Sequence, residues 1–450
     1  MATRTGTRRK TDIVLLVVTL MLTCLGVLLI FDASYAYALQ IHAKDYKYVL
    51  QQSIWAGVGI IAMLIVRRVH YDWFNRNALY IVGFCMLLLV CVFIPHIGAP
   101  AVNGAKRWVG TASVKFQPSE LAKLAIVLYV ARLCAGRPRI MQSFKAGPLA
   151  PVVVLGIFAI LVEREPDLGT TLVILGSGIG ALCFAGLKKR HLAGILAVAL
   201  VCIAGALWMK SNHAPAPDPA AVASAAENGA VGRDYRNSRI YVFLHPNESH
   251  TGEGYQVYHS MIALGTGGLV GLGLGNGRQK YYLPEAHTDF ILATLAEEGG
   301  LIATLFVLLL FAVLVGRGLH IASMTRDPFA AIVAGGISAS FAVQALLNIA
   351  VVTSSVPATG VPLPFLSYGG TSLVISLINV GILLSIYRNS EWDDDGRSDI
   401  AKSAPDRDFD RRWNRGNSLL RPEYARGGTY RGSKGYRDTN KASRPKSPVV

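Results

Sequence analysis

An all-α integral membrane fold with about ten transmembrane helices is predicted by three observations. Charged residues are scarce: 44 Lys and Arg with 28 Asp and Glu make up 16% of 450 residues, against roughly 25% in soluble domains. Apolar residues reach 52%. They gather in long blocks almost free of charge, able to cross a hydrocarbon layer of about 30 Å at about 1.5 Å per helical residue. A soluble enzyme and a disordered chain both fit this composition poorly.

The spans are expected at 13–31, 48–66, 78–94, 119–134, 149–162, 168–186, 192–209, 289–315, 329–352 and 369–387. The first follows Arg4, Arg8, Arg9 and Lys10 and has no convincing small-residue cleavage site. It reads as an uncleaved anchor rather than a signal peptide. Alternate loops carry Arg67, Arg68 and Arg76; Arg137, Arg139 and Lys145; Lys188, Lys189 and Arg190; Arg317 and Arg326. The positive-inside bias therefore puts residues 1–12 and the C-terminus in the cytoplasm. Loops 32–47, 95–118, 163–167, 210–288 and 353–368 face outward, the largest being 210–288.

Residues 13–387 form the membrane domain. The stretch 388–450 reads as a disordered, basic cytoplasmic tail. From Arg411 onward it holds eleven Lys and Arg against Glu423 and Asp438. An Ala/Pro-rich stretch at 211–231 also lacks the apolar surface needed to offset its ordering entropy. The net charge of +16 thus reports topology and the tail, and calls for no nucleic-acid partner. Cys24, Cys85, Cys91, Cys134, Cys183 and Cys202 lie in or beside apolar blocks, as small buried thiols do. A disulfide framework or Cys metal site is not expected.

Four outward stretches hold the unusual chemistry. In 103–123, Lys106 and Arg107 flank Trp108. Cations there suit phosphate, or they snorkel beside an aromatic-belt anchor. Ser119 after Pro118 is a candidate N-cap. Glu120 and Lys123 share one helical face, facing a wet cavity or pairing with each other. The second stretch is Glu163-Arg-Glu-Pro-Asp-Leu-Gly169.

The third runs from Lys280 to Phe290, followed by Glu297 and Glu298. Asp289, beside His287 and Thr288, enters an apolar helix. It is either a partly desolvated general base with a raised pKa or a simple helix cap. Glu285 is the reserve base. His287 has no second ligand at metal spacing. The run Gly271-Leu-Gly-Leu-Gly-Asn-Gly277 lacks the strand–helix–strand setting of a dinucleotide loop. It reads as a flexible or tightly turned approach to the Tyr281–Asp289 segment. The fourth stretch, Pro362 to Ser372 with Ser367, makes an irregular re-entry that must be buried or line a cavity.

NGAKRW, FQPSELAKL, EREPDLGT, YLPEAHTDFI, AEEGG and PLPFLSYGGTSL occur here in order. Over about 13–387 the chain resembles the SEDS family (shape, elongation, division and sporulation), which includes FtsW and RodA. The LPEAHTDF wording and the basic tail incline it to the FtsW branch. The resemblance implies a ten-helix fold in the bacterial cytoplasmic (inner) membrane, with an active site facing the periplasm or cell exterior. It implies an inverting glycosyltransferase that polymerises lipid II into glycan strands carried on undecaprenyl pyrophosphate. It further implies a class B penicillin-binding protein partner and other divisome or elongasome proteins.

The family's essential acid falls on Asp289. Its GAKRW and PSE-x-x-K elements fall on Lys106, Arg107, Trp108, Glu120 and Lys123. Lys280, Glu285, His287 and Ser367 complete the expected substrate-binding set. These residues point to no particular cofactor; a divalent cation would suit the diphosphate. The competing functions are a lipid II transporter and a non-catalytic divisome scaffold.

Overall fold

The computed structural model describes residues 11–40, 47–94, 98–99, 107–110, 115–135, 147–165, 167–188, 190–195, 197, 243, 253–283 and 286–389. All belong to the first of two units, Met1–Ser403; the second is Ala404–Val450. Lys106, Glu285, Cys202, the basic start at 1–10, the 211–231 stretch, most of the 192–209 span and the tail from 390 lie outside the described residues.

The order is α1 (Ile13–Gln40), α2 (Lys47–Val66), α3 (Asp72–Cys91), β1 (Val109–Gly110), β2 (Lys115–Phe116), α4 (Pro118–Cys134), α5 (Leu149–Arg164) and α6 (Leu168–Phe184). Then follow α7 (Glu253–Thr266), a 3-10 turn (Gln279–Tyr281), α8 (Ile291–Met324), α9 (Pro328–Val352) and α10 (Gly370–Asn389). Among the described residues, α1, α2, α3, α8, α9 and α10 are long and apolar enough to cross a membrane. The chain is a multi-pass membrane protein.

Burial separates the helices. α4 buries nearly every residue from Pro118 to Ala131, and α9 and α10 bury most of theirs. A helix that is covered all round belongs at the centre of a bundle. α2 and α3 bury only a stripe, at Gln52, Ala56, Gly59 and Met63, and at Phe74, Ala78, Val82, Cys85 and Leu89. Those spacings leave the other faces apolar and exposed, as lipid contact requires. α9 packs against α6, α8 and α4, and α10 against α2. Small residues let α6 and α9 approach: Gly176 meets Val343, and Gly180 meets Ala339.

The structure changes two expectations and adds one element. A two-stranded antiparallel ribbon, Val109 opposite Phe116, joins the predicted helices. Its aromatic and β-branched residues favour a pleated surface. The helix expected at 289–315 runs to Met324 and is broken at Gly300, where φ is 67°. At about 1.5 Å per residue its 34 residues would exceed the hydrocarbon thickness by about 20 Å. Arg317 does not end it, because Asp12 neutralises the guanidinium within the helix (Nη2–Oδ2 2.6 Å). Finally, α4 starts at Pro118 with Gln117 as its N-cap. Ser119 is not the cap; its hydroxyl accepts from Gln117 Nε2 at 3.1 Å.

Contacts sort the helix ends into two layers. At one end Asp12 meets Arg317, Asn75 meets Arg132, and Ser385 bonds Val69. At the other, Asp32 meets Lys280, Gln52 meets Ser367, and Gln117 meets Asp167. Each pairing joins segments that the charge pattern assigns to one side.

Candidate active site

Asp289 lies half-buried just before α8, whose N-cap is Phe290 with no side-chain bond. The carboxylate therefore does not cap the helix. Its Oδ1 accepts from Thr288 Oγ1 at 2.9 Å. Its backbone carbonyl accepts from Asn348 Nδ2 at 2.8 Å. The same amide donates to Val361 O at 3.0 Å. Asn348 thus anchors the acidic residue to the segment after α9.

That segment, 353–369, is the expected re-entry. Its Phe365 carbonyl abuts Gly26, near the middle of α1, where a Cβ would collide with it. Irregular backbone at such depth must find partners inside the protein. Leu363 N donates to Ser367 Oγ at 2.8 Å, and Ser367 N donates to Leu363 O at 3.0 Å. Gln52 Nε2 donates to Ser367 O at 3.4 Å, and Gly369 N to Gln52 Oε1 at 3.3 Å. Ser367 is buried and closes this turn.

His287 is buried in an aromatic group. Its ring centroid lies 4.9 Å from Tyr48 and 5.3 Å from Tyr368, and its carbonyl accepts from Tyr368 N at 2.8 Å. Burial pushes its pKa down to about 4, so the imidazole is neutral at pH 7. Tyr368 in turn donates to Gln51 Oε1 at 2.7 Å.

Lys280 is fully buried between two carboxylates, Asp32 Oδ1 at 2.7 Å and Glu298 Oε1 at 2.8 Å. Burial lowers its pKa, but the bonds and charges of Asp32 and Glu298 outweigh that and hold it above the ordinary lysine value. Glu298 also accepts from Gly275 N and Gly277 N, and Glu297 from Arg278 N and Gln279 N. The glycine-rich run is therefore wrapped around the two acids of the AEEGG motif.

Glu120 and Lys123 form a buried ion pair at 2.7 Å. Lys123 Nζ also donates to Gln344 Oε1 at 3.0 Å, and Gln344 Nε2 to Ser340 Oγ at 3.3 Å. Ser340, Gln344 and Asn348 stand four residues apart, on one face of α9. A polar file thus leads from the Glu120–Lys123 pair toward Asp289.

Arg107 and Trp108 are half-buried where the ribbon begins. Arg107 Nε donates to Glu165 O at 3.3 Å, and Lys115 Nζ lies 6.0 Å from the Trp108 ring centre. Glu165 is buried without a hydrogen-bond partner for either carboxylate oxygen. Burial and then the Asp167 charge raise its pKa to about 9, against the opposing pull of Arg107. Asp167 caps α6 through Thr170 N at 3.0 Å and accepts from Gln117 at 3.2 Å. Gly169, two residues on, touches Thr359 and Val361. Through Val361 and Asn348 the EREPDLG turn reaches the backbone of Asp289.

Sequence reasoning gave no roles to Asp32, Gln51, Gln52, Tyr48, Gln344 or Asn348. One signal was present: Ser340, Gln344 and Asn348 at four-residue spacing inside an otherwise apolar span. Asp32, Gln51 and Gln52 carry no such pattern, because their partners are hundreds of residues away. Among the described residues, no three His, Cys, Asp or Glu side chains gather as a metal site.

Fold and site define a polytopic helical membrane protein in which Asp289 and His287 are tied to the re-entrant segment 353–369. The FtsW/RodA/SpoVE family of cell cycle proteins matches residues 12–391. A Geobacter metallireducens protein named "Probable peptidoglycan glycosyltransferase FtsW" is 37% identical over 83% of this chain and 94% of its own. Stage V sporulation protein E of Bacillus subtilis is 36% identical over 86% of this chain and 100% of its own. A chain solved in work on the coordination of polymerization and crosslinking by a peptidoglycan synthase complex superposes with a TM-score of 0.65. That chain is 25% identical, with coverage of 85% of this chain and 99% of the other. Thermus thermophilus rod shape determining protein RodA shares the fold, with a TM-score of 0.58 at 23% identity over 86% of this chain and 100% of its own. The chain belongs to the FtsW/RodA/SpoVE family, on its FtsW side.

Proposed function

We propose that the chain is a peptidoglycan glycosyltransferase that polymerises lipid II on the outer face of the bacterial cytoplasmic membrane, in cell division. The relatives named peptidoglycan glycosyltransferase FtsW support the reaction class and the branch. In this reading Asp289 takes the proton of the acceptor sugar's 4-hydroxyl. The freed oxygen pair forms the bond to the donor's anomeric carbon. The bond from that carbon to undecaprenyl diphosphate breaks, with inversion. Arg107, with Lys106, receives the departing diphosphate in bidentate fashion, and Trp108 packs beside the polyprenyl chain.

The buried pairs Glu120–Lys123 and Lys280–Glu298, the neutral His287 and the turn hydroxyl of Ser367 hold these groups in place. A class B penicillin-binding protein works alongside and cross-links the product. The observation that carries the reading is the shared anchor: one Asn348 amide links Asp289 to Val361, against which the turn bearing Glu165 and its Arg107 contact is packed.

The test is polymer formation by purified protein in vesicles with lipid II and its partner transpeptidase. Asp289→Asn is expected to abolish polymer while thermal stability is kept. Undiminished polymer from that variant would remove Asp289 as the base. Translocation of labelled lipid II without polymer would replace the enzyme reading with a transporter.

A further inference from the structure

We infer that the glycine-rich loop at 268–274 is a rigid apolar prong embedded in the acyl region of the membrane leaflet nearest Asp289. Its side chains are exposed: Leu269 by 66%, Val270 by 76%, Leu272 by 43% and Leu274 by 63%. No charged residue occurs between Thr266 and Gly277. An exposed apolar cluster of this kind marks a partner surface or a membrane.

Continuity identifies the lipid as the occupant. The loop is bonded to the first residues of α8 beyond its break, Leu301 N to Gly268 O at 3.0 Å and Ile302 N to Leu269 O at 3.1 Å. From there Leu301, Ile302, Leu305, Phe306 and Leu309 are all exposed. Their spacing puts them on one face of the span, which must meet acyl chains. The prong extends that strip without a polar gap. Arg278, Tyr281 and Tyr282 follow it and are exposed; cations and amphipathic rings of this kind gather at the headgroup level.

Hydrocarbon also demands that backbone amides be satisfied within the protein. Gly271 N donates to Gly267 O, Leu272 N to Glu297 O, and Gly273 N to Glu298 O. Gly275 N and Gly277 N donate to the Glu298 carboxylate, and Asn276 N to Gly273 O. A solvated loop would have no need of this pairing. It also prevents the apolar side chains from folding inward. The prong thereby fixes the height of 291–299, and of Asp289 at its head, relative to the bilayer surface where a lipid-linked diphosphate is presented.

The experiment places a photoreactive side chain at Val270 in the full chain, reconstituted in phosphatidylethanolamine–phosphatidylglycerol vesicles, and reads adducts by mass spectrometry. Ile302 is the lipid-facing reference and Asn276 the comparison on the same loop. Lipid adducts at Val270 are expected in a yield comparable with Ile302, and largely lost at Asn276. A second probe at Leu274, with quenchers carried on lipid chains or dissolved in water, is expected to respond to the former. Adducts only to protein, or quenching only from water, would overturn the inference. Neither readout depends on polymer formation, so the proposed activity stands or falls separately.

Discussion

Asn348 Nδ2 stands 2.8 Å from the carbonyl oxygen of Asp289 and 3.0 Å from that of Val361. One buried amide therefore sets the distance between the candidate base and the re-entrant segment. Asn348→Leu would strand both carbonyls, at about 1–3 kcal/mol each. The displacement of Asp289 is expected to lower kcat by about 100-fold, since a misplacement near 1 Å has that effect. KM for the lipid substrate should move little. A kcat loss matched by an equal rise in KM would place Asn348 in substrate binding instead.

Lys280 tests whether a buried cation serves structure or substrate. With Asp32 and Glu298 both within 2.8 Å, Lys280→Met leaves two buried acids facing each other. The expected loss is about 3–5 kcal/mol, as for other broken buried pairs. Asp32→Asn should cost less, because the Glu298 bond remains. The two together should cost less than their sum, since they share one interaction. Thermal unfolding in detergent reads all three; additivity would mean that the pairing contributes nothing.

Most of the architecture was legible because it rests on local signals. Charge-free blocks, alternating basic loops and Pro-Gly re-entry were enough to predict α2, α4, α6 and α9 closely. The break at Gly300 was not, because it depends on Gly267–Gly273 wedging against the helix, a contact with no local mark. Arg317 misled for the same reason: its partner Asp12 is 305 residues away. At the site, the motifs marked Lys280 and His287 but not the residues that surround them. Lys280 and His287, read as substrate contacts, are enclosed by Asp32 and Glu298 and by tyrosines.

Two buried groups should give opposite pH dependences. His287, with its pKa lowered from 6.5 to about 4, binds fewer protons folded than unfolded between those values. Stability therefore rises with pH across that window and is lost as pH falls through it. Its full size is roughly 3 kcal/mol at about 1.4 kcal/mol per unit. Tyr48 and Tyr368 flank it, with ring centroids 4.9 and 5.3 Å away. His287→Gln is expected to flatten the acid limb of a plot of unfolding temperature against pH; an unchanged limb would show that His287 is not the group.

Glu165, raised from 4.5 to about 9, holds a proton folded that it loses unfolded. Its contribution is full below about 4.5 and is lost as pH rises toward 9. Asp167, Arg107 and Cys85 are the charged or titratable groups coupled to it. Glu165→Gln keeps the neutral shape and should raise stability above pH 7 while leaving it unchanged near pH 4. A Gln variant less stable at both extremes would mean that the carboxyl is ionised in the fold.

Gly300 has φ 67°, and a Cβ there would collide with Gly271 N and crowd Leu269 O and Val270 C. Both backbone strain and steric overlap oppose any side chain, with nothing flexible to move aside. Gly300→Ala is expected to cost more than about 2 kcal/mol. It should also reduce activity, because the break sets the direction in which 291–299 leaves the span below, and with it the position of Asp289. Gly316 is the internal comparison. It lies in the same helix, with no atom within 4 Å of a built Cβ, so Gly316→Ala should be neutral or stabilising by up to about 1 kcal/mol. Unfolding temperatures of the two variants decide the matter: equal effects would show that the break at Gly300 is not required by the fold.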